Sequence, residues 1–116
     1  MCHVLIIEDE ALIAMHIEAT LADLGATSFA FAETEAEAIR EATLRKPALI
    51  TSDVRLRSGT GPGAIGIILR ELGQLPVIYI TATPEDCTPC EPTSRVLGKP
   101  LDEASIAFAF RELAPI

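Results

Sequence analysis

The chain has 116 residues, of which 49% are hydrophobic and 22% are charged. This length and composition predict one folded domain over residues 1–116 and exclude a disordered chain. Asp and Glu number 17 against 9 Lys and Arg, and the resulting net charge of −8 argues against a nucleic-acid-binding protein. No apolar run approaches the ~18 residues of a membrane span, and Glu8 and Asp9 come too early for a signal peptide. The three cysteines form no dense disulfide framework, which favours the reducing cytoplasm.

Short apolar segments alternate with segments of helical periodicity along the whole chain. The predicted strands are residues 4–7, 28–31, 48–52, 76–81 and 95–98. The predicted helices are residues 10–24, residues 34 to about 45, a segment ending at residue 72, and residues 102–113. Thr34 and Glu37 have capping-box spacing at the start of the second helix. The third strand leads directly into Asp53, and a glycine-rich loop follows it.

This alternation predicts an α/β fold, a flavodoxin-like three-layer sandwich around a five-stranded parallel sheet. Five strands in a chain of this length suggest the order 2-1-3-4-5. The interval between Thr81 and Lys99 departs from the pattern, because Pro84, Pro89 and Pro92 interrupt helical hydrogen bonding. We therefore expect the helix between the fourth and fifth strands to be short, shifted or absent.

Polar residues follow the carboxyl ends of four strands, where a sheet of this kind binds its ligands. Glu8 and Asp9 follow the first strand, and Asp53 follows the third. Thr81 and Ala82 end the fourth, and Lys99 comes directly after the fifth. Three carboxylates, a hydroxyl and an ammonium group are therefore predicted to converge on one edge of the sheet.

Three neighbouring carboxylates repel each other unless a cation neutralises them. Mg²⁺ is a suitable cation because it binds a few carboxylates together with water and substrate oxygens. A lysine beside it attracts an anion, and cation, lysine and hydroxyl together can stabilise a phosphoryl group during transfer. An aspartate in this position can act as the nucleophile and form an aspartyl phosphate.

The ordered set of Glu8-Asp9, Asp53, Thr81 and Lys99-Pro100 resembles the receiver domain of two-component response regulators, and the resemblance covers essentially the whole chain. It implies that Asp53 is the phosphoacceptor and that Asp9 binds Mg²⁺ directly. Glu8 corresponds to a neighbouring acid that binds the metal through water.

The same resemblance implies roles for four further groups. Arg55 lies where a backbone carbonyl completes the metal shell. Thr81 corresponds to the switch hydroxyl that contacts the phosphoryl group, with the amide of Ala82 beside it. Lys99 corresponds to the phosphate-binding lysine, joined to Pro100 by a cis peptide bond.

Two positions depart from the family pattern. Glu8 stands where many receivers have Asp, and Val96 stands where an aromatic residue usually takes part in the switch. Tyr79 has the same strand parity as Thr81, so it is either a core aromatic residue or a substitute for the missing one. The proline-rich segment 84–92 resembles an alphaproteobacterial subgroup that includes receivers of general stress signalling.

The function implied is that of a stand-alone, cytoplasmic response regulator. A sensor histidine kinase or histidine phosphotransferase would phosphorylate Asp53, and the domain would then act through a partner protein or as a phosphate sink. It would be a signalling domain and not an enzyme, although it would assist its own phosphoryl transfer and dephosphorylation.

Two alternatives remain open at this stage. A pseudo-receiver would bind its partner regardless of phosphorylation, and Val96 and the altered fourth helix favour it. A small aspartate-nucleophile phosphatase of the haloacid-dehalogenase type would need a second aspartate two residues after the nucleophile, where this chain has Arg55.

Cys87 and Cys90 form a C-x-x-C pair, which can mark a redox centre or half of a zinc site. Cys2 and His3 could not complete such a zinc site, because they lie at the opposite end of the sheet. We interpret the pair as two reduced loop cysteines, with a regulatory disulfide as the alternative.

Leu12 and Met15 on the first helix and Phe108 on the last lie off the main apolar stripes, which suggests exposed docking surfaces.

Overall fold

The computed structural model describes residues 2–86 and 94–115, with the side chain of Asp86 left out. The strands are β1 His3–Ile7, β2 Ser28–Ala32, β3 Leu49–Ser52, β4 Val77–Thr81 and β5 Arg95–Gly98. The helices are α1 Ala11–Asp23, α2 Glu35–Leu44, α3 Gly61–Leu72 and α4 Glu103–Leu113. All strand pairs are parallel and the sheet order is β2-β1-β3-β4-β5, which confirms the predicted fold class.

Two hydrophobic clusters cover the two faces of the sheet. Val4 and Ile6 of β1 belong to the cluster that includes the buried residues of α1 and α4. Leu5 and Ile7 belong to the cluster that includes those of α2 and α3. Because consecutive strand residues point to opposite faces, an apolar run such as this one fills both clusters at once. The helices therefore form the two outer layers of a three-layer sandwich.

The start of α2 confirms the predicted cap at Thr34. The Thr34 side chain accepts a hydrogen bond from the Glu37 amide at 3.1 Å. In a capping box the Glu37 carboxylate would accept a hydrogen bond from the amide of Thr34 itself. It accepts instead from the amide of Glu33, one residue earlier, at 2.9 Å. The cap thus fixes the chain between β2 and α2.

The described part of the interval between β4 and β5 contains a short 3₁₀ turn over Pro84–Asp86. The proline at its first position is compatible with a helical start, because the missing amide would have had no helical partner there. Cys87 and Cys90, with the rest of the proline-rich segment to residue 93, lie outside the described residues.

The segment after β3 returns close to the strand where α3 begins. The amide of Gly61 donates to the carbonyl of Val54 at 2.8 Å. A Cβ atom at Gly61 would collide with the Asp53 carbonyl oxygen and the Ser52 hydroxyl. The first residue of α3 therefore needs to be glycine because helix and strand approach each other so closely.

A pair of glycine substitutions in α3 tests this packing. Gly61→Ala should lower the free energy of unfolding by about 1–3 kcal/mol, because the added methyl group overpacks the contact with β3. Gly66→Ala is the matched control, since a Cβ there meets nothing within 4 Å. It should raise the free energy of unfolding by about 0.5–1 kcal/mol through the loss of backbone freedom in the unfolded chain. Urea unfolding of the three proteins measures both effects, and equal values for the two variants would contradict the assignment.

Candidate functional site

Strand pairing brings the predicted site residues to one edge of the sheet. Ile7 of β1 lies beside Ser52 of β3, and the amide of Asp53 donates to the Ile7 carbonyl at 2.9 Å. Where β4 pairs with β5, the amide of Lys99 donates to the Thr81 carbonyl at 2.9 Å. These backbone bonds extend the parallel ladders one residue past the strands, so they fix where each side chain starts.

The Lys99 ammonium group lies between the two buried carboxylates. Its Nζ is 2.9 Å from Asp53 Oδ2 and 3.0 Å from Glu8 Oε1. The Glu10 carboxylate is more distant, with Oε1 at 3.9 Å. The side chains of Lys99 and Asp53 are each 10% exposed and that of Glu8 is 1% exposed. The ammonium therefore holds together two charges that would otherwise repel each other in a water-poor pocket.

The Glu8 carboxylate retains capacity for another positive charge. Lys99 Nζ is nearer to Oε1 but donates a hydrogen bond only to Oε2, at 3.3 Å. Oε1 is buried and, among the described residues, accepts no hydrogen bond. One ammonium cannot neutralise two ionised carboxylates, and Oε1 has the ammonium 3.0 Å away without a hydrogen-bond donor among the described residues. Such an oxygen suits a hard cation such as Mg²⁺ or a water bound to it.

Burial and pairing change the pKa values of two groups in the pocket. Burial raises the pKa of Glu8 to about 7, against the opposing effect of its hydrogen bond to Lys99. Burial alone would lower the pKa of Lys99, but its hydrogen bonds to Asp53 and Glu8 outweigh this and raise it. Lys99 is therefore charged at neutral pH, whereas Glu8 binds and releases a proton near it.

The acidic residues after β1 form a compact set of oxygen ligands. Ligand atoms of Glu8, Asp9 and Glu10 all lie within 4.8 Å of one another. The amide of Glu10 also donates to Glu8 Oε2 at 3.2 Å, which turns the chain back over the pocket. Sequence reasoning assigned Glu8 and Asp9 to the metal but not Glu10. The only available signal was its adjacency to those two acids.

The two oxygens of Asp53 have different surroundings. Oδ1 accepts from the amide of Val54 at 2.7 Å, and Oδ2 faces Lys99. The backbone of Arg55, where the metal-binding carbonyl was predicted, forms an isolated bridge with Thr60. Arg55 itself is exposed. The structure thus holds the Asp53 carboxylate by one donor from the backbone and one from a charged side chain.

The hydroxyl of Thr81 is engaged by the segment that follows it. It accepts from the amide of Thr83 at 3.1 Å, and the two hydroxyl oxygens are 3.4 Å apart. Thr81 is buried, whereas Ala82 is exposed beside it. Sequence reasoning did not foresee the link to Thr83, although a threonine two residues before an amide commonly forms such a turn.

The two residues considered for an aromatic switch are register partners in the pair β4–β5 but differ in burial. Val96 lies beside Tyr79 in the strand register but is 40% exposed. Tyr79 is fully buried among the residues of α2 and α3. Tyr79 therefore occupies the position of a core aromatic residue in this structure.

An apolar surface lies next to the acidic pocket. Leu12 and Met15 are 80% and 60% exposed, and Phe108 on α4 is 66% exposed, as the sequence suggested. Phe31 at the end of β2 is also exposed. Met15 and Phe31 line a groove of about 320 Å³ that Glu8 also borders. The groove therefore joins an apolar surface to the site.

The fold and the residues at the strand ends define a class of protein. A family model described as the response regulator receiver domain matches residues 4–107. The chain therefore belongs to the receiver-domain family, which is a family of signalling domains.

Among its relatives, the phyllosphere-induced regulator PhyR of Methylorubrum extorquens strain AM1 is 43% identical over 84 residues. That match covers 71% of this chain and 31% of PhyR, so the chain spans less than a third of that relative. A structure of the PhyR stress response regulator superposes with a TM-score of 0.79 at 36% identity, over 97% of this chain and 44% of that one. The homology to PhyR confirms the predicted resemblance to receivers of stress signalling.

A third similarity concerns the metal. The receiver domain of the sensor histidine kinase PA1611 from Pseudomonas aeruginosa PAO1 has a TM-score of 0.81 at 25% identity and covers 95% of each chain. In that structure a magnesium ion is coordinated in the active-site cleft.

The described part of this chain contains no helix both long and apolar enough to cross a membrane.

The raised pKa of Glu8 predicts a pH-dependent stability. The pKa of this carboxyl is near its ordinary value of 4.5 in the unfolded chain but about 7 in the folded protein. Between these values the unfolded chain releases the proton first, so the free energy of unfolding falls as the pH rises. Relative to Glu8→Gln, the wild-type protein should lose on the order of 3 kcal/mol across this interval and no more above it.

Urea unfolding in EDTA, at pH values below, within and above this interval, measures the difference. Glu71→Gln, at an exposed position of α3, is the control and should follow the wild-type profile. A wild-type profile parallel to that of Glu8→Gln would show that Glu8 does not titrate there.

Proposed function

We propose that this receiver domain accepts a phosphoryl group on Asp53 from a phosphohistidine of a sensor histidine kinase or histidine phosphotransferase. The observation that supports this most strongly is the pocket itself. The carboxylate of Asp53 lies 2.9 Å from the ammonium of Lys99, beside the acidic set of Glu8, Asp9 and Glu10. A nucleophile, a cation site and a fixed positive charge are thus within one pocket.

The transfer would be an in-line displacement at phosphorus. A carboxylate oxygen of Asp53 forms the new P–O bond while the P–N bond of the phosphohistidine breaks, and the imidazole keeps the electron pair of that bond. Lys99 would stabilise the charge on the transferred oxygens. The Thr81 hydroxyl and the Ala82 amide would donate hydrogen bonds to them once the phosphoryl group is bound.

The cation we propose is Mg²⁺, which would reduce the repulsion between the incoming phosphoryl group and the carboxylates. Glu8 and Asp9 would hold it together with Asp53 and the backbone carbonyl of Arg55, and Glu10 lies close enough to take part through water. The free oxygen of Glu8 and the acidic set supply the oxygen ligands that this ion prefers.

We infer that the domain acts in the cytoplasm, in stress signalling, through another protein. The homology to PhyR supports the stress pathway, and the exposed apolar residues Leu12, Met15 and Phe108 supply candidate docking surfaces. The modified state would alter the turn over Pro84–Asp86, β5 and α4. A role as a phosphate sink that drains the kinase is compatible with the same chemistry.

A second candidate function is a pseudo-receiver that binds its partner without phosphorylation. The exposure of Val96, where the family usually has an aromatic residue, favours it, because the side chain does not connect the pocket to the core. The complete set of Asp53, Thr81 and Lys99 at the strand ends favours phosphorylation.

Intact-mass spectrometry with acetyl phosphate and Mg²⁺ tests the proposed function. The wild-type protein should gain one phosphoryl group, and Asp53→Asn should gain none because an amide is not a nucleophile of this kind. Replacing Mg²⁺ by EDTA should lower the yield by at least about tenfold, since the charges of the pocket would then repel the donor.

Asp23→Asn, at an exposed position at the end of α1, is the matched control and should be modified like the wild type. If the wild-type protein gains no phosphoryl group while calorimetry shows bound Mg²⁺, phosphorylation is excluded as the function of the pocket. The pseudo-receiver would then be tested by partner binding to wild type and Asp53→Asn.

A further inference from the structure

We propose that the groove between α1 and β2 is a docking site for a basic amphipathic helix of a partner protein. This α1–β2 groove is the one bordered by Met15, Phe31, Glu8, Glu18 and Glu33. The inference deepens the proposed function, from which it takes only that the domain acts through another protein.

One face of α1 and the end of the edge strand β2 form the groove. Phe31 lies beside Ile6 in the strand register, and Ile6 belongs to the cluster on the α1 side of the sheet, so Phe31 points to that side. Met15 is 60% exposed and Phe31 is 45% exposed. The lining residues of α1 have the spacing of one helix face, and they are Ala11, Ala14, Met15 and Glu18.

Helix α1 is apolar on more than its buried side. Glu18 and Asp23 are its only acidic residues, and it contains no Lys or Arg. A helix that is apolar all round is typically covered on all sides by other elements. Here Ile17 and Leu21 are buried against the sheet, whereas Met15 faces solvent. The exposed side of α1 is therefore suited to contact with a second protein.

The charge around the groove is negative. The first 39 residues contain eight Asp and Glu residues and neither Lys nor Arg. Among the described residues that line the groove, three are glutamates and none is Lys or Arg. Arg57 lies 3.4 Å from Glu33, but both side chains are exposed, and such a pair contributes little. A partner with Lys or Arg beside an apolar stripe would therefore be complementary in charge.

The same charge disfavours other occupants. Nucleic acid and anionic membrane surfaces would be repelled. A second copy of this chain also carries a net charge of −8, and no helix in its described part has more than one Lys or Arg. The 13 residues of α1 extend about 20 Å, so a partner helix can lie along it over roughly three turns.

The groove and the cleft beside Lys99 use different faces of α1. Ile13 and His16 line that cleft together with Lys99. At 3.6 residues per turn, both residues lie about 100° or more around the helix from Met15 and Glu18. A phosphodonor that enters beside Lys99 therefore leaves the α1–β2 groove free.

A model peptide tests the chemistry of the occupant. The probe is a capped helical peptide of about 20 residues, with a stripe of Leu at helical spacing, Lys beside it and Ala elsewhere. The chain has two methionines, Met1 and Met15, so methyl-labelled protein gives two methionine signals by NMR, which Met15→Leu assigns. The Met15 signal should shift during the titration, because this side chain lines the groove.

Calorimetry at about 0.15 M ionic strength, where charges beyond ~8 Å are screened, measures the affinities. Met15→Gln and Phe31→Gln should each weaken binding at least about tenfold, because an apolar anchor is lost. Phe108→Gln, at a position 66% exposed on α4, is the matched control and should change the affinity less than about twofold. Glu18→Lys should weaken binding at least about fivefold. Glu71→Lys makes the same change of net charge on α3 and should have less than about a twofold effect.

Two control peptides separate the helical pattern from charge alone. One has the composition of the probe but no single Leu stripe, and the other has Glu in place of Lys. Each should bind at least about tenfold more weakly than the probe. If the first binds as tightly as the probe, or if the Met15 signal does not move, the proposal is wrong. A dimer in sedimentation that Phe31→Gln dissociates would also overturn it, because a second copy would then occupy the groove.

Acetyl phosphate separates this inference from the proposed function, since a small donor needs no docking surface. If the wild-type protein is not phosphorylated but binds the peptides in the expected order, the docking site stands and phosphorylation does not. If it is phosphorylated but the variants and peptides do not differ, the docking site is wrong and phosphorylation stands.

Discussion

The ion pairs of Lys99 are the interaction on which the site depends. Two carboxylates from different strands, those of Glu8 and Asp53, are buried within reach of one ammonium group. Without it, their mutual repulsion would disfavour the fold at neutral pH. The ammonium does not neutralise both carboxylates, and the remaining negative charge suits a cation. One arrangement thus compensates the buried charges and leaves oxygen ligands available.

Much of the fold could be predicted because the local signals agree with each other. The apolar run of β1 needs cover on both faces, and the helical patterns that alternate with the strands provide it. The boundaries were less predictable: the N-terminal ends of β1, β3 and β4 and the C-terminal end of β2 each differ by one residue from expectation. Strand ends depend on hydrogen bonds to neighbouring strands, which the local sequence does not encode. The prolines after β4 predicted a short, shifted or absent helix, and the described part of that interval contains a 3₁₀ turn over Pro84–Asp86.

The site was predictable in position and not in detail. Topology alone places Glu8, Asp53, Thr81 and Lys99 at one edge, because parallel strands end on the same side. The close contact of Lys99 with Glu8 depends on side-chain length and on how deeply the pocket is buried, and no sequence pattern reports either. The proximity of Glu10 results from the turn of the chain after β1. The exposure of Phe31 depends on β2 being an edge strand.

The link from Thr81 to Thr83 bears on the absence of an aromatic residue at position 96. The Thr81 hydroxyl accepts the Thr83 amide, and Pro84 follows directly, so the side chain is coupled to the start of the 3₁₀ turn. Any rotation that aims this hydroxyl at a group on Asp53 must give up that bond and free the amide. The side chain of Pro84 in turn lies beside Gly98, two residues after Val96 in β5. A change at Thr81 can therefore reach β5 through backbone and proline contacts, where Val96 is too small and too exposed to transmit it by packing.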